Sequence, residues 1–244
     1  MAQFHIKIAG KVFSVTSLFD STKDYCRKYL TEEPAVFSVA VSPAELASEQ
    51  AFLDEEAREE GLKRRKFTDP FLERTAIQRK VAEALVSRDT LLFHGSAVAV
   101  DGKGYLFTAP CGTGKSTHTR FWRETFGSRA VMVNDDKPFL KITEDGVLLY
   151  GAPWSGKHGL DTNLCVPLQG ICILTRGTEN RIAPLSPEDA LPMLAHQCCG
   201  GENPALLPAI RNLAEQLSRK VPLWQMECTK EAGAAMVSYE AMSK

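Results

Sequence analysis

A lysine followed by two hydroxyl side chains, Lys115-Ser116-Thr117, closes a run with two glycines one residue apart, Ala109-Pro110-Cys111-Gly112-Thr113-Gly114. Side chains of these types at this spacing handle phosphate. Glycines at 112 and 114 let neighbouring backbone N–H groups turn toward one point, and a helix opening at Lys115 adds the partial positive charge of its N-terminus. Lys115 is then placed to reach the β- and γ-phosphates of a nucleoside triphosphate, and the Ser116 hydroxyl to ligate Mg²⁺. The predicted cradle is Cys111, Gly112, Thr113, Gly114, Lys115, Ser116 and Thr117. Context favours it over a glycine turn beside a surface lysine, because Tyr105–Thr108 is a β-prone run and His118–Phe126 continues a helix until Gly127. The strict G-x-x-x-x-G-K-[ST] pattern has glycine where this chain has Ala109, so the loop is expected to leave its strand by a different path.

A second cluster follows the apolar run Ala130–Val133: Asn134-Asp135-Asp136, at the end of a strand expected beside the one that precedes the loop. Two adjacent carboxylates are costly unless something neutralises them, and a magnesium-bound nucleotide does so. The plain alternative is an acidic turn bridged by Lys137 before Pro138. Three further groups could meet a phosphoryl group or its acceptor. Lys157, in the Gly- and Pro-rich stretch Pro153–Gly159, could neutralise developing charge, with Trp154 walling the substrate and Asn163 orienting it, the plain alternative being a packed loop held by Trp154. Arg176, just past the apolar strand Pro167–Thr175, could clamp phosphate. His94 lies on a buried strand predicted over Leu91–Val100, where a lone histidine is ordinarily a hydrogen-bonded core residue. Cys111 is read as a spacer, and its alkylation is expected to weaken nucleotide binding.

The run His94-Gly95-Ser96, then Asp101-Gly102-Lys103-Gly104, the APCGTGKST loop, Asn134 to Pro138 and Tyr150 to Lys157 resembles the P-loop core shared by HPr serine kinase/phosphorylase and phosphoenolpyruvate carboxykinase, most of all the small HPr-kinase-like proteins of bacteria. The resemblance covers about residues 91–176. Where HPr kinase carries a glutamate after the loop serine, this chain has Thr117, as the carboxykinases do. The resemblance implies that His94 stands beside the phosphate site and that one aspartate serves the metal and the other the incoming hydroxyl. Asp135 is assigned as general base and Asp136 as metal ligand, and the alternation of side chains along a strand leaves the exchange of roles open.

These groups need a scaffold, and 244 residues with 44% hydrophobic content provide one. Before the core, residues 1–88 read as a small α/β module and linking helix: a hairpin over Phe4–Thr16, a short helix over Lys23–Leu30, a strand over Ala35–Val41, a helix from Ser42-Pro43-Ala44-Glu45 to Gly61, and another from Asp69-Pro70 to Arg88. Residues 89–244 read as the core, with a hairpin over Lys141–Tyr150, helices opening at Ser186-Pro187 and Asn203-Pro204, a strand over Pro222–Cys228 and a closing helix over Lys230–Met242. Cys198-Cys199-Gly200-Gly201 reads as the end of a helix.

A net charge of −1 without a basic block argues against a nucleic-acid partner. No run approaches the ~20 apolar residues of a membrane helix, and the start lacks a signal-peptide pattern, so a cytoplasmic protein away from membranes is expected. Seven cysteines without a C-x-x-C pair predict reduced thiols. The expected fold is an α/β P-loop kinase core of the HPr kinase/phosphoenolpyruvate carboxykinase type with a small N-terminal α/β module. The expected activity is ATP- and Mg²⁺-dependent phosphoryl transfer to a hydroxyl of a peptide, protein or small alcohol. Carboxykinase-like chemistry and a non-catalytic ATP sensor are the alternatives, and a homo-oligomer is left open.

Overall fold

The computed structural model describes residues 1–59, 61, 63–199 and 203–244. Gly200 and Gly201 lie outside them. The fold is mixed α/β, and the chain divides into two compact units, residues 1–84 and 85–244.

In the first unit, β1 (Ala2–Ile8) and β2 (Lys11–Ser17) form an antiparallel hairpin in which Ile8 faces Lys11. Phe4, Ile6 and Ile8 are buried while His5 and Lys7 are partly exposed, the period of two expected of a half-buried strand. α1 (Asp20–Tyr25) begins three residues ahead of the helix expected at Lys23 and gives way to a 3₁₀ turn over Arg27–Tyr29. The cause is distant in sequence: the buried carboxylate of Glu73 accepts from the Leu18 N–H and the Thr22 hydroxyl, fixing the chain at that earlier point. β3 (Phe37–Ala40) pairs parallel with β2. α2 (Pro43–Glu59) opens on a capping box in which the Ser42 N–H and hydroxyl donate to Glu45 at 2.7 and 2.8 Å. α3 (Asp69–Val86) completes the unit and leads into the second.

Among the described residues, the second unit is built on ten strands. The apolar run expected as one strand over Leu91–Val100 is two, β4 (Thr90–Phe93) and β5 (Ser96–Val100), broken at His94-Gly95. There follow β6 (Lys103–Thr108), α4 (Lys115–Phe126), β7 (Ala130–Asn134), β8 (Phe139–Thr143), β9 (Gly146–Tyr150), β10 (Cys165–Arg176) and β11 (Arg181–Pro184). The chain continues through α5 (Pro187–Gln197), β12 (Cys198–Cys199), a 3₁₀ turn over Pro204–Leu206, α6 (Leu207–Lys220), β13 (Leu223–Cys228) and α7 (Gly233–Met242). The Cys198-Cys199 pair ends a helix as expected, Cys198 capping α5, and also pairs with Phe93 and Leu92.

The strand order is β12-β4-β8-β9-β10-β6-β5-β7, with β13 joined to β10 and β11 to β13. β5 therefore lies between β6 and β7, which corrects the expectation that the aspartate strand runs directly beside the loop strand. β10 begins antiparallel to β9 and continues parallel to both β6 and β13.

Strands β6 and β10 are covered on both faces, and their alternation feeds two cores. Leu106, Ile171 and Ile173 pack with Leu194 of α5 and Leu217 of α6. Tyr105, Phe107, Cys172 and Leu174 pack with Phe121 and Trp122 of α4 and with Ala234, Ala235 and Met242 of α7. Trp122 is fully buried, its ring 4.7 Å from Tyr105 and 5.2 Å from Phe107, and its Nε1 donates to Ser238 at 2.9 Å. Truncating it to alanine is expected to cost about 3–5 kcal/mol. That packing holds α4, and with it the loop at its N-terminus.

Candidate active site

The glycine-rich loop joins β6 to α4. Gly112 and Gly114 have φ of 74° and 124°, conformations that side chains rarely adopt, and a Cβ on either would meet open space. The residue that caps α4 is Gly114, so no side chain closes the start of the helix. Lys115 folds back across the loop, its Nζ donating to the Ala109 carbonyl at 2.9 Å. Ala109 is fully buried in the same core as Phe107 and Trp122, which is why a methyl group is accepted where the strict pattern has glycine. Cys111, Gly112 and Ser116 are exposed, Thr113, Gly114 and Thr117 are half-buried. Arg176, at the end of β10, reaches the loop and donates to the Gly112 carbonyl at 2.5 Å.

His94 occupies the break between β4 and β5. The break exists because the Phe93 and Gly95 N–H groups donate to Pro138 and Asp136, at 3.0 Å each, across the turn that follows β7. His94 is thereby held with Nε2 3.5 Å from Asp136 Oδ1. Burial pulls its imidazole down to about 2, and the positive charges of Lys137 and Lys115 act the same way, so the ring is neutral. The carboxyl of Asp136 is raised above its ordinary value: burial is the largest influence although 37% of the side-chain surface is exposed, Lys137 and Lys115 pull it down, and Asp135 pushes it up. Lys115 thus acts on both members of the His94–Asp136 pair.

Asp135 is differently placed. It is buried, and Oδ1 accepts from the Ser96 hydroxyl at 2.7 Å. The turn that separates the two aspartates is organised by Asn134, fully buried, whose Oδ1 accepts from the N–H groups of Asp136 and Lys137 at 2.8 and 2.7 Å. Its Nδ2 donates to the carbonyls of Ala152 and Trp154, tying in the next loop. That loop runs along β7, with Asp135 N–H donating to Leu160 and Thr162 N–H to Val133 at 3.1 Å each. A 3₁₀ turn over Gly156–His158 puts exposed Lys157 beside the acidic turn; Gly156 has φ of 67°, and a Cβ there would stand 3.1 Å from that of Asp136.

Trp154 is buried, its ring edge-on to Phe139 at 6.4 Å, the arrangement of a residue that packs the loop. Asn163 is exposed on the same loop. The sequence assigns no part to Asn134 or Ser96; an asparagine ahead of a polar turn is a recognised side-chain-to-backbone device and is the available signal.

Magnesium fits this donor set. Ser116, Asp135 and Asp136 offer hard oxygens, and Mg²⁺ usually completes its shell with waters and substrate phosphates. Among the described residues no group of three or more His, Cys, Asp or Glu gathers as a self-sufficient metal site.

No protein-family model and no curated protein matches the chain. Among solved structures, the Hpr(Ser) kinase/phosphatase from Coxiella burnetii is similar at 10% identity and a TM-score of 0.35, over 62% of this chain and 94% of that one. Among the described residues no helix is long and apolar enough to cross a membrane.

Proposed function

We infer that the chain transfers the γ-phosphoryl group of ATP to a hydroxyl acceptor, with Mg²⁺ bound to the nucleotide. The observation that carries this reading is the convergence of three groups: the loop lysine Lys115, the neutral His94, and Asp136 3.5 Å from that histidine with its carboxyl raised by burial. The loop amides from Cys111 to Thr117 and the Lys115 ammonium would hold the phosphates. Ser116 and Asp135 would hold the cation, which supplies charge neutralisation on the phosphoryl oxygens.

The geometry favours the exchanged assignment of the aspartates. Asp135 has one oxygen engaged by Ser96, whereas Asp136 is partly open and has its carboxyl raised by burial, the direction that favours a base. Asp136 takes the acceptor's hydroxyl proton as its oxygen bonds to the γ-phosphorus, and the bond from that phosphorus to the bridging oxygen breaks to release ADP. His94 orients the Asp136 carboxylate. Arg176 and Lys157 are assigned to charge on the transferred group.

The test is incubation with γ-labelled ATP, Mg²⁺ and separate pools of peptides, HPr, free serine and oxaloacetate. Label in a hydroxyl product is the expected result. Nucleotide-dependent phosphoenolpyruvate from oxaloacetate would favour carboxykinase-like chemistry, and binding without turnover in every pool would favour a nucleotide sensor.

A further inference from the structure

Asp135 is the end of a buried chain of polar groups. The Ser96 hydroxyl on β5 is 2.7 Å from Asp135 Oδ1 and 2.7 Å from the Thr119 hydroxyl on α4, and Thr119 Oγ1 is in turn 3.4 and 3.3 Å from the carbonyls of Lys115 and Ser116. Both hydroxyl residues are almost wholly buried, so they exchange partners only within this set.

Proton counting gives the chain a direction. An ionised carboxylate only accepts, and each hydroxyl has a single proton. With Asp135 charged, Ser96 donates to it and must accept from Thr119, whose proton is then turned away from the first-turn carbonyls of α4. We propose that Ser96 and Thr119 are positioning residues that tie the Asp135 carboxylate through buried hydrogen bonds to the first turn of the loop helix, so that the cation's carboxylate and the phosphate cradle are set together. This rests on the reading of the site given above.

The experiment compares ATP affinity with and without Mg²⁺ for the unaltered protein, Ser96→Ala, Thr119→Val and Thr119→Ser. A merely structural role would weaken both forms alike. The proposal expects Ser96→Ala and Thr119→Val to bind metal-free ATP within about twofold of the unaltered protein while losing about tenfold of the gain that Mg²⁺ confers. Thr119→Ser, which keeps the hydroxyl, restores that gain. As a measurement that needs no nucleotide, the losses in melting temperature for Ser96→Ala and Asp135→Asn should be smaller together than their sum. An undiminished Mg²⁺ gain in Ser96→Ala, or additive melting losses, would overturn the proposal. An unaltered, folded protein that binds no ATP in either form would instead overturn the reading on which it rests.

Discussion

The Nε2 atom of His94 lies 3.5 Å from Oδ1 of Asp136, although the two residues come from different parts of the sheet. The pair is made by backbone hydrogen bonds that splay β4 from β5 and seat the break against the turn after β7. Since burial keeps the ring neutral and raises the carboxyl, the proton balance of the site falls on Asp136.

Phosphoryl transfer should therefore depend on Asp136 being ionised. The rate is expected to climb with pH through an acidic limb lying above the ordinary carboxylate value of about 4. Asp136→Asn should lower transfer by about 10²–10⁴-fold with nucleotide affinity largely kept, as measured by steady-state kinetics beside binding. Full-speed transfer by that variant would remove the assignment.

Two neutral histidines make stability pH-dependent. His94 is pulled to about 2 and His118, on α4, to about 4, both chiefly by burial, from 6.5. The unfolded chain thus binds more protons below pH 6.5, so their contribution is complete above that pH and is lost as the pH falls. Each should remove roughly 1.4 kcal/mol per pH unit below 6.5, with His118 ceasing to do so below about 4. Urea midpoints measured between pH 7.5 and 5 should fall, and less steeply for His118→Gln; a flat profile would contradict the sign.

Gly156→Ala tests the approach of the Lys157 loop to Asp136. A φ of 67° and a Cβ 3.1 Å from that of Asp136 combine backbone strain with a close contact. A loss of about 1–3 kcal/mol in unfolding free energy is expected, with transfer reduced by more than the stability change explains. Equal stability and activity would show that the loop yields.

Much of the phosphate loop was legible because its signals are local. The apolar run before it, the glycines at 112 and 114 and the helix after it lie within one short stretch, and the two faces of β6 fall into two cores as the alternation requires. What escaped depends on partners far along the chain. Leu91–Val100 reads as one strand until Phe93 and Gly95 find the turn at Asp136–Pro138. The place of β5 between β6 and β7 is a matter of pairing, on which hydropathy is silent. Ser96 and Thr119 are single hydroxyls, Ser96 being 39 residues from Asp135 and 23 residues from Thr119, and only the fold brings them together. Trp154 in a glycine-rich loop admits a packing and a substrate-facing reading alike from sequence, and its burial beside Phe139 fits the packing one.

Cys111 is exposed in the loop, whereas Cys26 and Cys172 are buried. Alkylating it should weaken ATP binding by placing bulk where the phosphates approach, and Cys111→Ser should be protected from that loss. Unchanged affinity after complete modification, verified by mass spectrometry, would show that the side chain points clear of the nucleotide.

Calorimetric titration of Mg·ATP into nucleotide-free protein bears most directly on the cradle formed around Lys115. Saturable heat at one site per chain is expected, with affinity falling about tenfold or more in Lys115→Ala. A flat titration, on protein whose cooperative melt shows it folded, would contradict the assignment of this loop to phosphate.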